Sequence, residues 1–370
     1  MENPKRYEKV YRRRIKRLTE KMEEKGAGLY IVTAPGNIRY LCCHTFPKEP
    51  PLTHLIITAE GERIGIASSL EGFRAQEMTA VDEVRTFCTY RALKCRYKTG
   101  IEGVRDLIKE RSPEKVLTDG RLLSRRCRVE RDSTIQEMRA IKEKEEIEAI
   151  RKATKVVDSG YRFLREFLQE GLTELEVVRE LNHHLRGERG VANLSFETIV
   201  ASGPHAAYSH HDPSERVIRR GDAVICDFGV VVDGYCSDMT RTFIIGENSK
   251  LERIYQVVLK AQKAALERVQ AGDPLKDLDL TARGIIEREG FGVNYPHSLG
   301  HGVGLEVHEE PLGIRPTIKG EQKEGMVITI EPGVYVPGLG GVRIEDDVLI
   351  TPQGGVLLTQ AERDPHCEGC

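Results

Sequence analysis

Between residues 29 and 119 the chain sets short β-branched runs between turn residues and polar stretches: LYIVT from Leu29, HLIIT from His54, RIGIAS from Arg63 and KVLTD from Lys115. Runs of this kind predict strands, and with a helical pattern over 100–110 they predict an α/β first domain ending near residue 136. Beyond it, Ile147, Ile150, Ala153, Val157, Tyr161, Leu164 and Leu168 recur at three- and four-residue steps with Lys, Glu and Arg between them. That spacing predicts a long helix with one buried face, ending at Gly171. Thr173 and Glu176 make a capping box that opens a second helix through about Arg186. The same device at Ser249 and Glu252 opens a third, which stops at Gly272-Asp273-Pro274, and a fourth reaches Gly290. Strands are predicted over 195–202, 222–232, 235–245, 326–336 and 341–351. The second domain, 137–362, therefore reads as α+β with hairpins, and 363–370 as a tail.

A chain of 370 residues exceeds what one hydrophobic core usually serves, which agrees with two domains. Lys plus Arg (56) nearly balances Asp plus Glu (58), so charge calls for neither nucleic acid nor an anionic membrane surface. The N-terminal stretch lacks the apolar core of a secretory signal, and no run approaches about twenty apolar residues. These features lead us to expect a soluble cytoplasmic protein. Nine cysteines, scattered and odd in number, suit a reducing compartment better than a disulfide framework. The Cys367/Cys370 pair has zinc-like spacing but no second pair to complete four ligands. The basic run Arg12–Arg17 is followed by Glu20, Glu23 and Glu24, and reads as a solvated helix face.

The chemistry concentrates in two hairpins. Asp233-Gly234 is a two-residue turn signal between VICDFGVVV and YCSDMTRTF. Counting outward from that turn sets Asp238 opposite Gly229 and Asp227 diagonal to Asp238 on the same face, with β-carbons roughly 5.5 to 8 Å apart. Two carboxylates so placed in apolar runs would raise a pKa or recruit a cation. In the second hairpin, MVITIEPGVYV and GVRIEDDVLIT flank Pro337-Gly338-Leu339. A three-residue loop there sets Glu331 directly opposite Glu345; a loop longer or shorter by one would move one Glu to the other face.

His301 adds a nitrogen donor from the Gly-rich stretch HSLGHGVGLEVHEEP. Four carboxylates and an imidazole without thiolate describe a site for Mn²⁺, Co²⁺, Fe²⁺ or Zn²⁺. Two ions would neutralise that charge better than one, and could activate a bridging water. His210 and His308, with His297 behind them, are candidates for acid/base or carbonyl-polarising work. His183, His184, His205 and His211 read as solvent-exposed.

The blocks SFETIVASGPHAAYSHH, GDAVICDFGVVVDGYCSDMTRTF, GHGVGLEVHEEP, TIEPGVY and VRIEDDVLIT resemble, in order, the motifs of pita-bread metallopeptidases. The N-terminal part resembles, more loosely, the creatinase-like domain carried by Xaa-Pro dipeptidases and Xaa-Pro aminopeptidases. The resemblance implies that Asp227 binds one ion, His301 and Glu331 the other, and that Asp238 and Glu345 bridge both. It also implies that Glu331 takes the water's proton, that His210 and His308 steady the substrate and the tetrahedral intermediate, and that His297 and Arg343 line the pocket. Ser209 stands where such proteins often have Pro.

The expected function is thus hydrolysis of the Xaa-Pro bond, in dipeptides or at the N-terminus of peptides, with two divalent ions, Mn²⁺ or Co²⁺ ahead of Zn²⁺ or Fe²⁺. The expected partner is a small peptide, and the resemblance implies a homodimer. Methionine aminopeptidases resemble the second domain only, which favours Xaa-Pro hydrolysis over that alternative. Metal-free creatine amidinohydrolysis predicts substituted ligand positions, and all five are present. Hydrolysis of another amide or ester and a non-enzymatic scaffold are the remaining alternatives.

Overall fold

The computed structural model describes residues 7–46, 49–90 and 95–367. Pro47 and Lys48 of the Pro-rich segment, and Cys370 of the terminal pair, lie outside the described residues. The chain divides into two compact units, Met1–Arg139 and Ala140–Cys370. Among the described residues no helix is long and apolar enough to cross a membrane.

The first unit is built on β1 (Leu29–Val32), β2 (His54–Thr58), β3 (Arg63–Ser68), β4 (Glu83–Phe87), β5 (Lys115–Thr118) and β6 (Arg128–Arg131). They form one sheet in the order β4-β3-β2-β1-β5-β6, antiparallel from β1 through β3 and parallel at both ends. β4 and β6 escaped the sequence reading because EVRTF and RVER carry few β-branched residues. The helices are α1 (Glu8–Glu24), α2 (Pro35–Ile38), α3 (Gly72–Met78), α4 (Gly100–Arg111) and α5 (Thr134–Ala140). Thr99 caps α4 by accepting from the Glu102 N–H, and Val104, Leu107 and Ile108 pack with Ile64 and Ile66. The solvated-face reading of Arg12–Arg17 fails at Arg14. Its guanidinium is buried, lies 3.9 Å from the Tyr40 ring centroid and donates to the Tyr40 carbonyl at 2.8 Å.

The second unit holds α6 (Lys144–Phe167), α7 (Glu174–Gly187), α8 (Ser249–Glu267) and α9 (Lys276–Arg288). The capping box at Thr173 and Glu176 is formed. Three helix boundaries differ from expectation, one being the end of α8 at Glu267, five residues before Gly272. Leu168 is already extended, so α6 ends four residues before Gly171. α8 is capped not by Ser249 but by Asn248, whose side chain accepts from the Leu251 N–H, an equally good capping residue one position earlier.

Strands in this unit are β7 (Val191–Leu194), β8 (Ile199–Ser202), β9 (Ala223–Phe228), β10 (Val230–Val232), β11 (Tyr235–Cys236), β12 (Met239–Ile244), β13 (Gly300–Gly302), β14 (Glu309–Ile314), β15 (Val327–Ile330), β16 (Gly333–Val336), β17 (Gly340–Arg343), β18 (Asp346–Thr351) and β19 (Gly354–Leu357). The sheets run β11-β10-β7, β12-β9-β8, β14-β13-β15-β18-β19 and β16-β17. Of the strand expected over 195–202 only Ile199–Ser202 is a strand, β8, which pairs with β9; β7 lies ahead of it and pairs with β10 in another sheet. β13, β14 and β19 are further strands, too short or too rich in glycine and glutamate to show an alternating pattern.

Period-two alternation shapes the core. Val224, Cys226 and Phe228 of β9 face Val157, Leu164, Leu181 and Leu185 of α6 and α7, while Ala223 and Ile225 join the cluster of α8, α9, β15 and β18. Asp227 therefore shares a strand face with Ala223 and Ile225. Of the 363–370 segment expected as a tail, the described residues 363–367 pack into this unit. The Ile244 N–H donates to the Pro365 carbonyl, and Cys367, which is disulfide-bonded, lies within the α6/α7 cluster.

Candidate metal centre

The first hairpin has the register that its turn implies. Asp233 and Gly234 take φ of +50° and +86°, as such a turn requires. Val232 pairs with Tyr235, and the same count continues as Phe228 with Met239 and Asp227 with Thr240. Between β10 and β9 the ladder opens at Gly229, where an added β-carbon would lie 2.1 Å from the Ser237 carbonyl oxygen. Only glycine permits that approach, and it lets Asp238, just ahead of β12, turn into the site.

The second hairpin also keeps one count through two ladders. Gly333 pairs with Arg343 and Ile330 with Asp346, so Glu331 and Glu345 face each other in the gap between them. Pro332 has no N–H to give the ladder. The freed backbone joins neighbouring strands: the Glu331 N–H donates to Leu299 O at 2.8 Å, and the Glu345 N–H to Thr240 O at 3.1 Å. The second of these bonds ties the two hairpins together. His301 arrives on β13, its N–H donating to Thr329 Oγ1 at 3.0 Å. Gly300 allows this, since a β-carbon there would meet the Thr329 carbonyl oxygen at 2.0 Å.

All five residues line one cavity of about 550 Å³, within the range of small-ligand sites. Asp227, Asp238, His301 and Glu345 are buried. Among the described residues the tightest group here is Asp238, His301 and Glu345, with ligand atoms within 4.8 Å of one another. His301 Nε2 lies 3.3 Å from Glu331 Oε1 and 3.7 Å from Asp238 Oδ2. A carbonyl can only accept, so the 3.2 Å contact of His301 Nδ1 with Gly302 O assigns the proton to Nδ1 and leaves the Nε2 lone pair facing the carboxylates.

Burial and mutual repulsion dominate the electrostatics. Asp238 and Glu345 are held well above the carboxylate range by burial, and then by each other's neighbours: Glu345 and Asp227 act on Asp238, Glu331 and Asp227 on Glu345. Glu331 is pushed up to about 8 by burial, opposed by the Arg343 guanidinium and reinforced by Asp227. Burial, with the His308 ring beside it, lowers His301 to about 3, so the imidazole is neutral and fit to ligate. Asp227 Oδ1 is buried without a hydrogen-bond partner. A set of oxygen donors and one neutral nitrogen, with a free buried oxygen, fits a hard or borderline divalent cation.

Arg343 does more than line the pocket. It donates to Asp227 Oδ2 at 2.6 Å, Thr240 Oγ1 at 3.0 Å, Tyr335 OH at 2.9 Å and Ser209 O at 3.3 Å. Tyr335 OH in turn lies 2.9 Å from His297 Nε2, while His297 Nδ1 lies 2.8 Å from Ser298 O. Nδ1–H donates to that carbonyl, so Nε2 accepts from the tyrosine hydroxyl. A chain from Asp227 through Arg343 and Tyr335 to His297 results. His297 is lowered to about 4, first by burial and then by Arg343.

His308 lies 4.0 Å from His301 by ring centroids and, like His210, borders the cavity from an exposed position. Phe196, Ile199, Val307 and Leu312 supply an apolar wall.

Sequence reasoning missed Thr240, Tyr335 and Asp347. Thr240 Oγ1 donates to Glu345 Oε2 at 2.6 Å, and the Asp238 N–H donates to Asp347 Oδ2 at 3.0 Å. The hairpin count already set Thr240 opposite Asp227, and Asp347 follows Glu345 by two residues in the same predicted run, so both had a legible signal. Tyr335 did not. The reading of His205 and His211 as solvent-exposed fails: both are partly buried and meet the Glu174 carboxylate. His184 is likewise half-buried, stacked on Phe163 at 4.8 Å.

Residues 148–352 match the family described as Metallopeptidase family M24, and residues 14–158 match the Creatinase/Prolidase N-terminal domain. An uncharacterized peptidase of Staphylococcus saprophyticus is 38% identical over 356 residues, covering 95% of this chain and 100% of the relative. Among solved structures, an Xaa-Pro dipeptidase from Bacillus anthracis is similar with a TM-score of 0.85 and 30% identity, covering 96% of this chain and 99% of the other. A prolidase from Pyrococcus furiosus is similar with a TM-score of 0.80 and 36% identity, covering 93% and 100%.

Proposed function

The chain belongs to metallopeptidase family M24, a metal-dependent hydrolase with a creatinase-like N-terminal domain ahead of a pita-bread catalytic domain, and from that premise we propose that it cleaves Xaa-Pro bonds, dipeptides foremost. The observation that carries the reading is the convergence of Asp227, Asp238, His301, Glu331 and Glu345 on one cavity. The names of the Bacillus and Pyrococcus neighbours support the substrate class.

In this reading Asp227 would hold one divalent ion, His301 and Glu331 a second, and Asp238 and Glu345 both. Bound there, Mn²⁺ or Co²⁺ would polarise the scissile carbonyl and lower the pKa of the attacking water. Glu331, which lines the cavity 3.3 Å from His301 Nε2, takes the proton of that water. His210 and His308, at the open side of the cavity, donate to the oxygen on which charge develops. The chain from Asp227 to His297 holds the pocket wall in place, and the apolar wall accepts a proline ring without stranding a donor, since proline brings no N–H to the scissile bond.

The test is to load the purified protein with Mn²⁺ or Co²⁺ and compare Xaa-Pro dipeptides with longer Xaa-Pro peptides and Met-initiated peptides. Preference for the dipeptides supports the reading. Preference for Met-initiated peptides, or turnover that survives thorough chelation, would remove it.

A further inference from the structure

A second His/carboxylate group lies in the catalytic unit, at the start of α7. Glu174, the first residue of that helix, is fully buried. Its Oε1 accepts from the Ser202 N–H at 2.8 Å, Ser202 Oγ at 2.7 Å and His205 Nδ1 at 3.0 Å. Its Oε2 accepts from the Ser214 N–H at 3.0 Å, Ser214 Oγ at 2.7 Å and His211 Nε2 at 2.9 Å. Three donors on each oxygen fill the carboxylate's acceptor capacity. A cation at this group would have to displace donors already in place, so its geometry is that of a hydrogen-bond hub and not of a metal site.

Those donors come from one stretch of chain that begins where β8 ends. Ser202 is the last residue of β8, and His205, His211 and Ser214 lie in the connection that follows it toward β9. His210, adjacent to His211, borders the metal-centre cavity. The same connection is gripped from the opposite side, where Ser209 O accepts from Arg343. His210 thus sits between a bond on its preceding residue from the metal-centre side and a bond on its following residue from Glu174.

We propose that Glu174 is a positioning residue for His210, holding the 203–214 loop so that the His210 imidazole meets the developing oxyanion. The inference rests on the role given to His210 above. Its physical basis is that a catalytic donor misplaced by about 1 Å can lose on the order of a hundredfold in rate, and exposed His210 lies past the short 3-10 helix Gly203–Ala207, whose Ala206 is packed in the core, on a stretch without such packing.

A double-mutant cycle on the metal-loaded protein with an Xaa-Pro dipeptide tests it. Glu174→Gln in the otherwise unchanged protein should lower kcat about tenfold to a hundredfold, with KM and bound metal little changed. In a His210→Ala background the same substitution should cost less than about threefold, since the group it positions is gone. His211→Ala should show the same dependence on His210, and His211→Gln, whose amide can donate to the same oxygen, should recover part of the loss. This pair carries the test if Glu174→Gln does not fold. Equal losses in both backgrounds would overturn the proposal while leaving the role of His210 standing. Unchanged turnover in His210→Ala alone would remove that role, and the proposal with it.

Discussion

Two buried carboxylate centres in the catalytic unit carry the same chemical group in opposite conditions. Glu174 has six donors within hydrogen-bond distance. Despite burial, those donors, His211 and the serines foremost, hold it down to about 2. At the proposed metal centre, Asp238 and Glu345 face other carboxylates, and their pKa values rise well above the usual range. Donors outnumber negative charges at the first centre, and negative charges outnumber donors at the second. A carboxylate already saturated with donors serves the architecture, whereas a crowd of carboxylates short of donors is a demand for cations.

The widest separation between the two centres should come from metal removal. Exhaustive chelation is expected to abolish peptide hydrolysis while the hydrogen bonds at Glu174 persist, and metal analysis beside the activity assay checks it. Glu331→Gln comes next: a loss of roughly a hundredfold to ten-thousandfold in turnover, the range of a general base, with circular dichroism and unfolding midpoint near those of the unaltered protein. Near-normal turnover would remove Glu331 from that role. Thr240→Val, which deletes the donor to Glu345 Oε2, should weaken metal binding about tenfold, as loss of a ligand's hydrogen-bond partner commonly does; an unchanged Kd would detach Thr240 from the centre.

The two centres should also answer pH with opposite slopes. The folded pKa of Glu174 lies below its ordinary 4.5, so its contribution, about 3 kcal/mol, is complete above pH 4.5 and fades as pH falls toward 2. The stability gap between the unaltered protein and Glu174→Gln should narrow over that window. In metal-free protein Glu331 is raised from 4.5 to about 8, so its protonated form favours the folded state below pH 4.5, and that advantage disappears as pH rises through 8. Added metal should reverse this trend, because ligation needs the ionised carboxylates. A metal-free protein whose stability rises from pH 5 to 8 would break the contrast.

Much of the candidate metal centre was legible because hairpin registers are arithmetic once the turn is identified. Asp233-Gly234 and the three residues after Val336 fixed which residues oppose which, and both counts survive interruptions at Gly229 and Pro332. The helix at Thr173 was legible for a similar local reason. The confinement of the 195–202 strand to Ile199–Ser202 was not, since an apolar run does not say how much of it will find a partner strand. Arg14 was misread because its burial depends on Tyr40, twenty-six residues away.

The sequence by itself determined the long helices, the two hairpins with their carboxylate pairs and the nature of the donors, all properties of neighbours along the chain or across one turn. Tertiary structure alone decided that the two pairs share a cavity with His301, and that Arg343 is bound to Asp227. It also decided that His205 and His211 serve Glu174 and not solvent. Each of these joins segments whose separation along the chain leaves no periodic trace, and each is held by hydrogen bonds that exist only once the strands have packed.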